Sequence, residues 1–180
     1  MLALITGGSG SGKSAYAEAL CVKLQQEKKE IPMVYIATMY PFDEEAFRKI
    51  ERHRELRKNK NFNTVECFTG LENVKLDELH TTVLLECMSN LTANEMYQEN
   101  GAGSRTVEAV CRGFDSLCGQ ADHVVVVSNE IFSDGMDYDP ETVRYQQYLG
   151  KINQYIAGKA DLVAEVVYGI PLIHKGEVPV

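Results

Sequence analysis

The chain lacks any apolar run near the roughly 20 residues that a membrane-spanning helix needs, so no span is expected. No basic segment with a cleavage site precedes the first apolar stretch, and no export signal is expected. Cysteine is sparse, with five residues at Cys21, Cys67, Cys87, Cys111 and Cys118. They are scattered, odd in number and never spaced C-x-x-C. They read as reduced, mostly buried thiols of a cytoplasmic protein. No internal repeat, low-complexity tract or linker divides the sequence. Positive charge is in deficit: 18 Lys and Arg stand against 26 Asp and Glu, a net charge of −8. That balance argues against general nucleic-acid binding. What is present is 180 residues, 44% hydrophobic and 24% charged. Such a chain can bury a core, and a single domain over residues 1–180 is expected.

One stretch organises the rest. Gly7, Gly8, Ser9, Gly10, Ser11, Gly12, Lys13 and Ser14 spell G-x-x-x-x-G-K-S, a phosphate-binding loop. The apolar run Leu2-Ala-Leu-Ile-Thr6 before it suits a buried strand. Tyr16, Ala17, Leu20, Cys21 and Leu24 after it recur at helical spacing. Glycines let successive N–H groups curl round phosphate oxygens with no Cβ in the way, and the helix adds its positive end. Lys13 is expected at the β- and γ-phosphates of ATP or GTP, and the Ser14 hydroxyl on Mg²⁺.

Further along, Met33–Ala37, Thr64–Phe68, Thr82–Glu86 and His123–Ser128 read as strands. Helices are expected over Phe42 to about Lys60, Met88–Glu99, from Ser104, and from Asp139-Pro140, with Asp139 as N-cap. In the second of these elements in chain order, Ala46, Phe47, Ile50 and His53 share one side. Ile131–Tyr138 reads as a loop, and Asp161–Tyr168 with Ile170–His174 as a hairpin about Gly169. Strands alternate with helices, and the middle strands are apolar throughout. The fold class is therefore α/β, a P-loop nucleotide-binding domain with a mainly parallel sheet flanked by helices.

The acidic chain has one basic segment: Arg48, Lys49, Arg52, Arg54, Arg57, Lys58 and Lys60, opposed only by Glu51 and Glu55. It is either a solvated helix face or a site for an anion. His53 lies within it. Neighbouring cations disfavour imidazolium, and a neutral ring nitrogen is a nucleophile. The segment is thus a candidate for a covalent nucleotidyl-histidine. Glu86 ends an apolar strand, where an acid helps to hold Mg²⁺ in many phosphate-loop proteins. Asn129 and Glu130 end the next long strand and are weaker candidates. Glu66 reads as a surface acid.

With these residues in view, the sequence resembles the bifunctional adenosylcobinamide kinase / adenosylcobinamide-phosphate guanylyltransferase family of cobalamin biosynthesis. The likeness runs from Thr6-Gly-Gly through Lys13-Ser14 and Ala17-Glu18-Ala19 to Tyr35-Ile-Ala-Thr38. It continues through Asp43-Glu-Glu, Ile50-x-x-His53 with Arg57, Thr64-Val-Glu66-Cys and Leu84-Leu-Glu86-Cys. Val127-Ser-Asn129-Glu130, Gly150-x-x-Asn153-Gln and Ala160-Asp161 complete it. The resemblance implies phosphorylation of adenosylcobinamide by a nucleoside triphosphate, then transfer of GMP from GTP to the new phosphate. It implies that His53 carries the GMP and that Gly7 to Ser14, Ala37, Thr38, Arg54, Glu55, Leu56, Arg57, Glu66 and Glu86 contact nucleotide. It implies a corrinoid partner and a homotrimer whose subunits share the site region. Three features depart from the family: Met39 replaces a small hydroxyl residue, Ile131–Tyr138 replaces a Gly-rich, Pro-containing segment, and Gln147 and Tyr148 replace an Arg-Asp pair.

Two other readings suit the loop by itself. One is a kinase of another small metabolite with no covalent intermediate. The other is a nucleotide-gated protein that binds a partner.

Overall fold

Among the described residues seven strands form one sheet in the order β3-β2-β4-β5-β1-β6-β7. They are β1 (Leu2–Thr6), β2 (Met33–Ala37), β3 (Phe62–Glu66), β4 (Thr82–Glu86), β5 (His123–Val127), β6 (Leu162–Val167) and β7 (Ile170–Lys175). The computed structural model describes residues 1–26, 30–77 and 81–179. All pairings are parallel except β6 with β7, which are antiparallel. Among the described residues five α-helices accompany the sheet: α1 (Lys13–Leu24), α2 (Glu44–Arg57), α3 (Met88–Tyr97), α4 (Thr106–Cys118) and α5 (Pro140–Lys159).

The apolar strands at the centre carry side chains to two cores, as a period of two requires. Ala3 and Ile5 of β1 and Val125 and Val127 of β5 meet Ala17, Leu20 and Cys21 of α1 on one face. Leu4, Val124 and Val126 face the other way, onto Leu91 of α3, Val110, Phe114 and Leu117 of α4, and Leu149, Ile152 and Ile156 of α5. Uniformly apolar strands therefore reflect a sheet covered on both sides. Among the described residues no helix is long and apolar enough to cross a membrane.

Several expected boundaries move. The basic helix runs Glu44–Arg57 instead of Phe42 to Lys60, because Asp43 caps it, accepting from the Ala46 N–H at 2.6 Å. Phe47, expected on its inner side, is 55% exposed, whereas Ala46 is buried. The third strand starts two residues before the expected Thr64, since pairing of Met33–Ala37 with Phe62–Glu66 sets its register. It is the edge strand, and its pattern is mostly exposed. A short 3-10 turn, Gly103–Arg105, takes the place of the first expected turn of α4. Asp139 caps α5, accepting from the Glu141 and Thr142 N–H groups, with Pro140 in its first turn, as the sequence indicates. The hairpin turns at Tyr168-Gly169, both at positive φ.

Candidate active site

Strand register aligns Glu66, Ala37, Glu86, Val127 and Ile5 in one row across β3, β2, β4, β5 and β1. Two acids thus stand on either side of Ala37 at the sheet edge from which the glycine-rich loop departs. In open parallel sheets this carboxyl edge is where ligands bind.

The loop depends on glycine at two close approaches. At Gly7, with φ 150°, a Cβ would lie 2.5 Å from the Val166 carbonyl oxygen. Gly12, with φ 93°, is the N-cap of α1, and a Cβ there would come within 3.2 Å of Gly169 Cα. Main-chain hydrogen bonds hold the loop from three sides. Ser11 N–H donates to Gly8 O at 3.2 Å, Gly169 N–H to Ser11 O at 2.8 Å, and Glu130 N–H to Gly7 O at 3.0 Å. Lys13 is only 7% exposed, and its ammonium donates to Gly8 O at 3.0 Å. Burial pushes the Lys13 pKa down, with Cys87 and Glu86 opposing.

Ser14, in the first turn of α1, donates its hydroxyl hydrogen to Oε1 of Glu86. Burial pushes the Glu86 pKa up; the Ser14 hydrogen bond, His53 and Lys13 counter this, while Glu18 adds to it. Oε2 of Glu86 is buried and has no hydrogen-bond partner. His53 is half-buried on α2 and its Nδ1 is likewise unpartnered. Among the described residues one group of three side chains has metal-ligand chemistry: Glu18, His53 and Glu86, whose donor atoms lie within 4.8 Å of one another. The structure therefore brings His53 to the Ser14–Glu86 pair.

The basic segment separates into two parts. Arg48, Lys49 and Lys58 are exposed and paired with Glu44, Glu45 and Glu55 of their own helix. Arg54 is also exposed; it pairs with Glu51 at 2.7 Å and reaches Glu66 at 3.5 Å. Most of the run is thus a solvated face. Arg57 turns inward, is 6% exposed and lies over the Tyr35 ring. Lys60 also turns inward, pairing with buried Glu18.

Not every expected site residue is free to meet a ligand. Thr38 is fully buried; its hydroxyl donates to Cys87 O at 2.8 Å and accepts from Cys87 N–H at 2.7 Å. Its role in the structure is to tie the end of β2 to the end of β4. The Glu130 carboxylate accepts from Phe132 N–H at 2.9 Å and Ser133 Oγ–H at 2.8 Å, within its own loop. Asn129 N–H donates to Ser89 Oγ at 2.9 Å. Glu66 is exposed, as a surface acid would be, and meets Arg54. Leu56 belongs to α2, and its side chain lies outside the described residues.

Sequence reasoning gave Glu18 no part, although it lies in the inner stripe of α1 between Ala17 and Cys21. The sequence shows an acid among apolar helix positions four residues after Ser14, but not that it is buried.

A family model described as cobinamide kinase / cobinamide phosphate guanyltransferase matches residues 3–173. The chain is 31% identical over 186 residues to the bifunctional adenosylcobalamin biosynthesis protein CobU of Escherichia coli (strain K12), with 94% of this chain and 97% of that protein covered. The protein of the same description from Salmonella typhimurium gives the same identity and coverage. The bifunctional adenosylcobalamin biosynthesis protein CobP of Pseudomonas aeruginosa is 29% identical over 179 residues, covering 97% of each chain. A solved ATPase domain superposes with a TM-score of 0.56 at 12% identity, over 99% of this chain and 78% of that one, which shows the fold.

Proposed function

The chain belongs to the cobinamide kinase / cobinamide phosphate guanyltransferase family, and we propose that it is a transferase with two successive reactions on a corrinoid. In the first, a hydroxyl of adenosylcobinamide takes the γ-phosphoryl group of ATP or GTP. In the second, GMP passes from GTP to the new phosphate through His53, giving adenosylcobinamide-GDP and pyrophosphate. The observation that supports this reading is the approach of His53 to Glu86, with donor atoms within 4.8 Å, the same acid that accepts from Ser14 of the phosphate loop. A phosphate loop serves kinases of many kinds. A nucleophile delivered to that same loop is what nucleotidyl transfer requires.

In this reading residues Gly7 to Ser14 cradle the triphosphate, and Lys13 neutralises charge as the γ-phosphoryl group moves. For the second reaction a His53 ring nitrogen attacks the α-phosphorus. An N–P bond forms, the bond from that phosphorus to the bridging oxygen breaks, and pyrophosphate leaves with the electron pair. An oxygen of adenosylcobinamide phosphate then attacks the same phosphorus; the N–P bond breaks and the imidazole is restored. Ala37, Thr38, Arg54, Glu55, Leu56, Arg57 and Glu66 flank the nucleotide, with Thr38 acting from beneath, since it is fully buried and its hydroxyl holds Cys87.

Ser14 and Glu86 suit Mg²⁺, since both offer oxygen and the second Glu86 oxygen is buried without a partner. Bound there, Mg²⁺ supplies charge neutralisation to the phosphate oxygens. The reading further includes one domain over residues 1–180, a homotrimer with subunits sharing the site region, and a cytoplasmic location. It includes no nucleic-acid partner.

The test is incubation with α-³²P-GTP and Mg²⁺, without corrinoid, of the parent protein and His53→Ala. Label on the denatured parent protein that is lost in acid, kept in alkali and missing from His53→Ala supports the reading. Absence of label from the parent protein, with γ-phosphoryl transfer to adenosylcobinamide still present, overturns the second reaction and leaves a kinase.

A further inference from the structure

Glu18 lies on α1, four residues after Ser14, and is 1% exposed. Lys60, just beyond α2, pairs with its Oε2. Its other oxygen, Oε1, is buried without a partner, as are His53 Nδ1 and Glu86 Oε2. An oxygen of each acid and a ring nitrogen of His53 lie within 4.8 Å of one another. Three buried polar atoms left unsatisfied at one spot are costly, and an N–H directed at a carboxylate relieves that cost. A neutral imidazole has a single N–H to give. With two acids near the ring and the buried Nδ1 lacking any other partner, a proton on Nδ1 directed at a carboxylate leaves the lone pair on Nε2.

We propose that Glu18 is a positioning residue for guanylyl transfer: its free oxygen accepts the Nδ1–H of His53, fixing the ring and leaving Nε2 as the attacking nitrogen. This rests on His53 being the carrier of GMP. Each acid has one oxygen engaged and one free; Glu18 suits the task better than Glu86, because the free Glu86 oxygen is the one that with Ser14 suits Mg²⁺. As the N–P bond forms at Nε2 the ring becomes cationic, and a carboxylate at Nδ1 faces the new charge. No further reactant is involved, since the proton stays on Nδ1 throughout. The pair also joins the two parts of the site. The helix that opens from the phosphate loop supplies Glu18, and α2 with its following turn supplies both His53 and Lys60. Docking of α2 therefore pairs one Glu18 oxygen with Lys60 and brings His53 within reach of the other.

The same three side chains have donors for a divalent transition metal. Lys60 speaks against that use, because its ammonium already supplies a cation to Glu18.

The experiment reads the tautomer directly. Protein labelled with ¹⁵N-histidine is examined by long-range ¹H–¹⁵N correlation at about pH 8.5, where a free imidazole is neutral. The chain has four histidines, and His53→Ala assigns the signal. The parent protein is expected to hold His53 as the Nδ1–H form, and Glu18→Gln to populate the Nε2–H form. Single-turnover labelling by α-³²P-GTP at saturation is expected to fall in Glu18→Gln by about 10²- to 10⁴-fold, the scale of a wrong-tautomer histidine. The GTP concentration for half-maximal labelling should stay within about threefold, since ground-state binding is not what Glu18 supplies. Glu18→Asp keeps the carboxylate and should recover much of the rate and the Nδ1–H form; it also serves if Glu18→Gln fails to fold. An Nε2–H form in the parent protein, or an unchanged tautomer in the Gln variant, overturns the proposal. So does stoichiometric Zn²⁺ binding that perturbs the His53 signals and is lost in Glu18→Gln. The tautomer is read without GTP, so failure of His53 to label is distinguishable from failure of the Glu18–His53 bond.

Discussion

The guanidinium carbon of Arg57, at the end of α2, lies 3.3 Å from the centre of the Tyr35 ring on β2. Both residues are buried. Burial pushes the Tyr35 hydroxyl pKa up, Glu86 adds to the rise, and Arg57 opposes it. A planar cation stacked on a ring fixes the end of the helix that carries His53 against the sheet. Arg57→Ala is expected to lose about 1–3 kcal/mol of stability, from the lost cation–π contact and the packing of the arginine stem. Arg57→Lys keeps charge without the planar fork and should fall between. Urea denaturation measures both; a loss below about 0.5 kcal/mol for Arg57→Ala, the range of ordinary surface substitutions, contradicts the expectation.

Lys13 and Ser14 serve one triphosphate cradle, so their loss should reach both transfers. Lys13→Ala and Ser14→Ala are each expected to slow γ-phosphoryl transfer and guanylylation by about 10²- to 10³-fold, the scale for one preorganised charge-stabilising group. Parallel assays with γ- and α-labelled GTP measure this. A variant slowed in only one of the two would show that the reactions use separate triphosphate sites.

The Cys67 thiol gives stability a pH dependence. Burial, with Glu95 adding, pushes its pKa up from 9.0 to about 11. The unfolded chain therefore releases this proton first as pH rises. The contribution is whole below 9.0 and is lost as pH rises through about 11. Urea midpoints at about pH 8 and about pH 10.5 should fall more steeply for the parent protein than for Cys67→Ala. Equal slopes would mean that Cys67 titrates alike in both states.

Gly113 is where α4 passes closest to the turn Leu71–Asn73. A Cβ there would lie 2.7 Å from Leu71 Cβ and 2.8 Å from the Glu72 nitrogen. Gly113→Ala is expected to destabilise by about 1–3 kcal/mol despite alanine's better helix propensity, because backbone must shift to admit it. A thermal midpoint equal to or above that of the parent protein would contradict this.

The architecture was legible where local signals agree: an apolar strand, glycines at turns and a helical stripe in sequence leave little freedom from β1 to the end of α1. Glu86 was legible because it ends a buried strand. The fate of Thr38 was not, since its partner Cys87 is 49 residues away. Glu18 was hidden for the same reason; its burial depends on Lys60, 42 residues on. A run of cations also carries no mark of which members turn inward, and Arg57 and Lys60 differ from Arg48 only through tertiary packing. Phe47 misled because helical spacing identifies a face but not the neighbour that covers it. The cations around His53 made it a candidate nucleophile, the family resemblance implied that it carries GMP, and the fold brings it near Glu86.

The main-chain bond from Gly169 to Ser11, with the bare approach of Gly12 to the same turn, gives the phosphate loop a handle outside the cleft. The hairpin of β6 and β7 ends in that turn, and β7 is a mostly exposed edge strand. This edge meets the backbone of Ser11 through a peptide group, with no side chain between them. The loop is thus anchored partly by a hairpin that comes about 160 residues later in the chain.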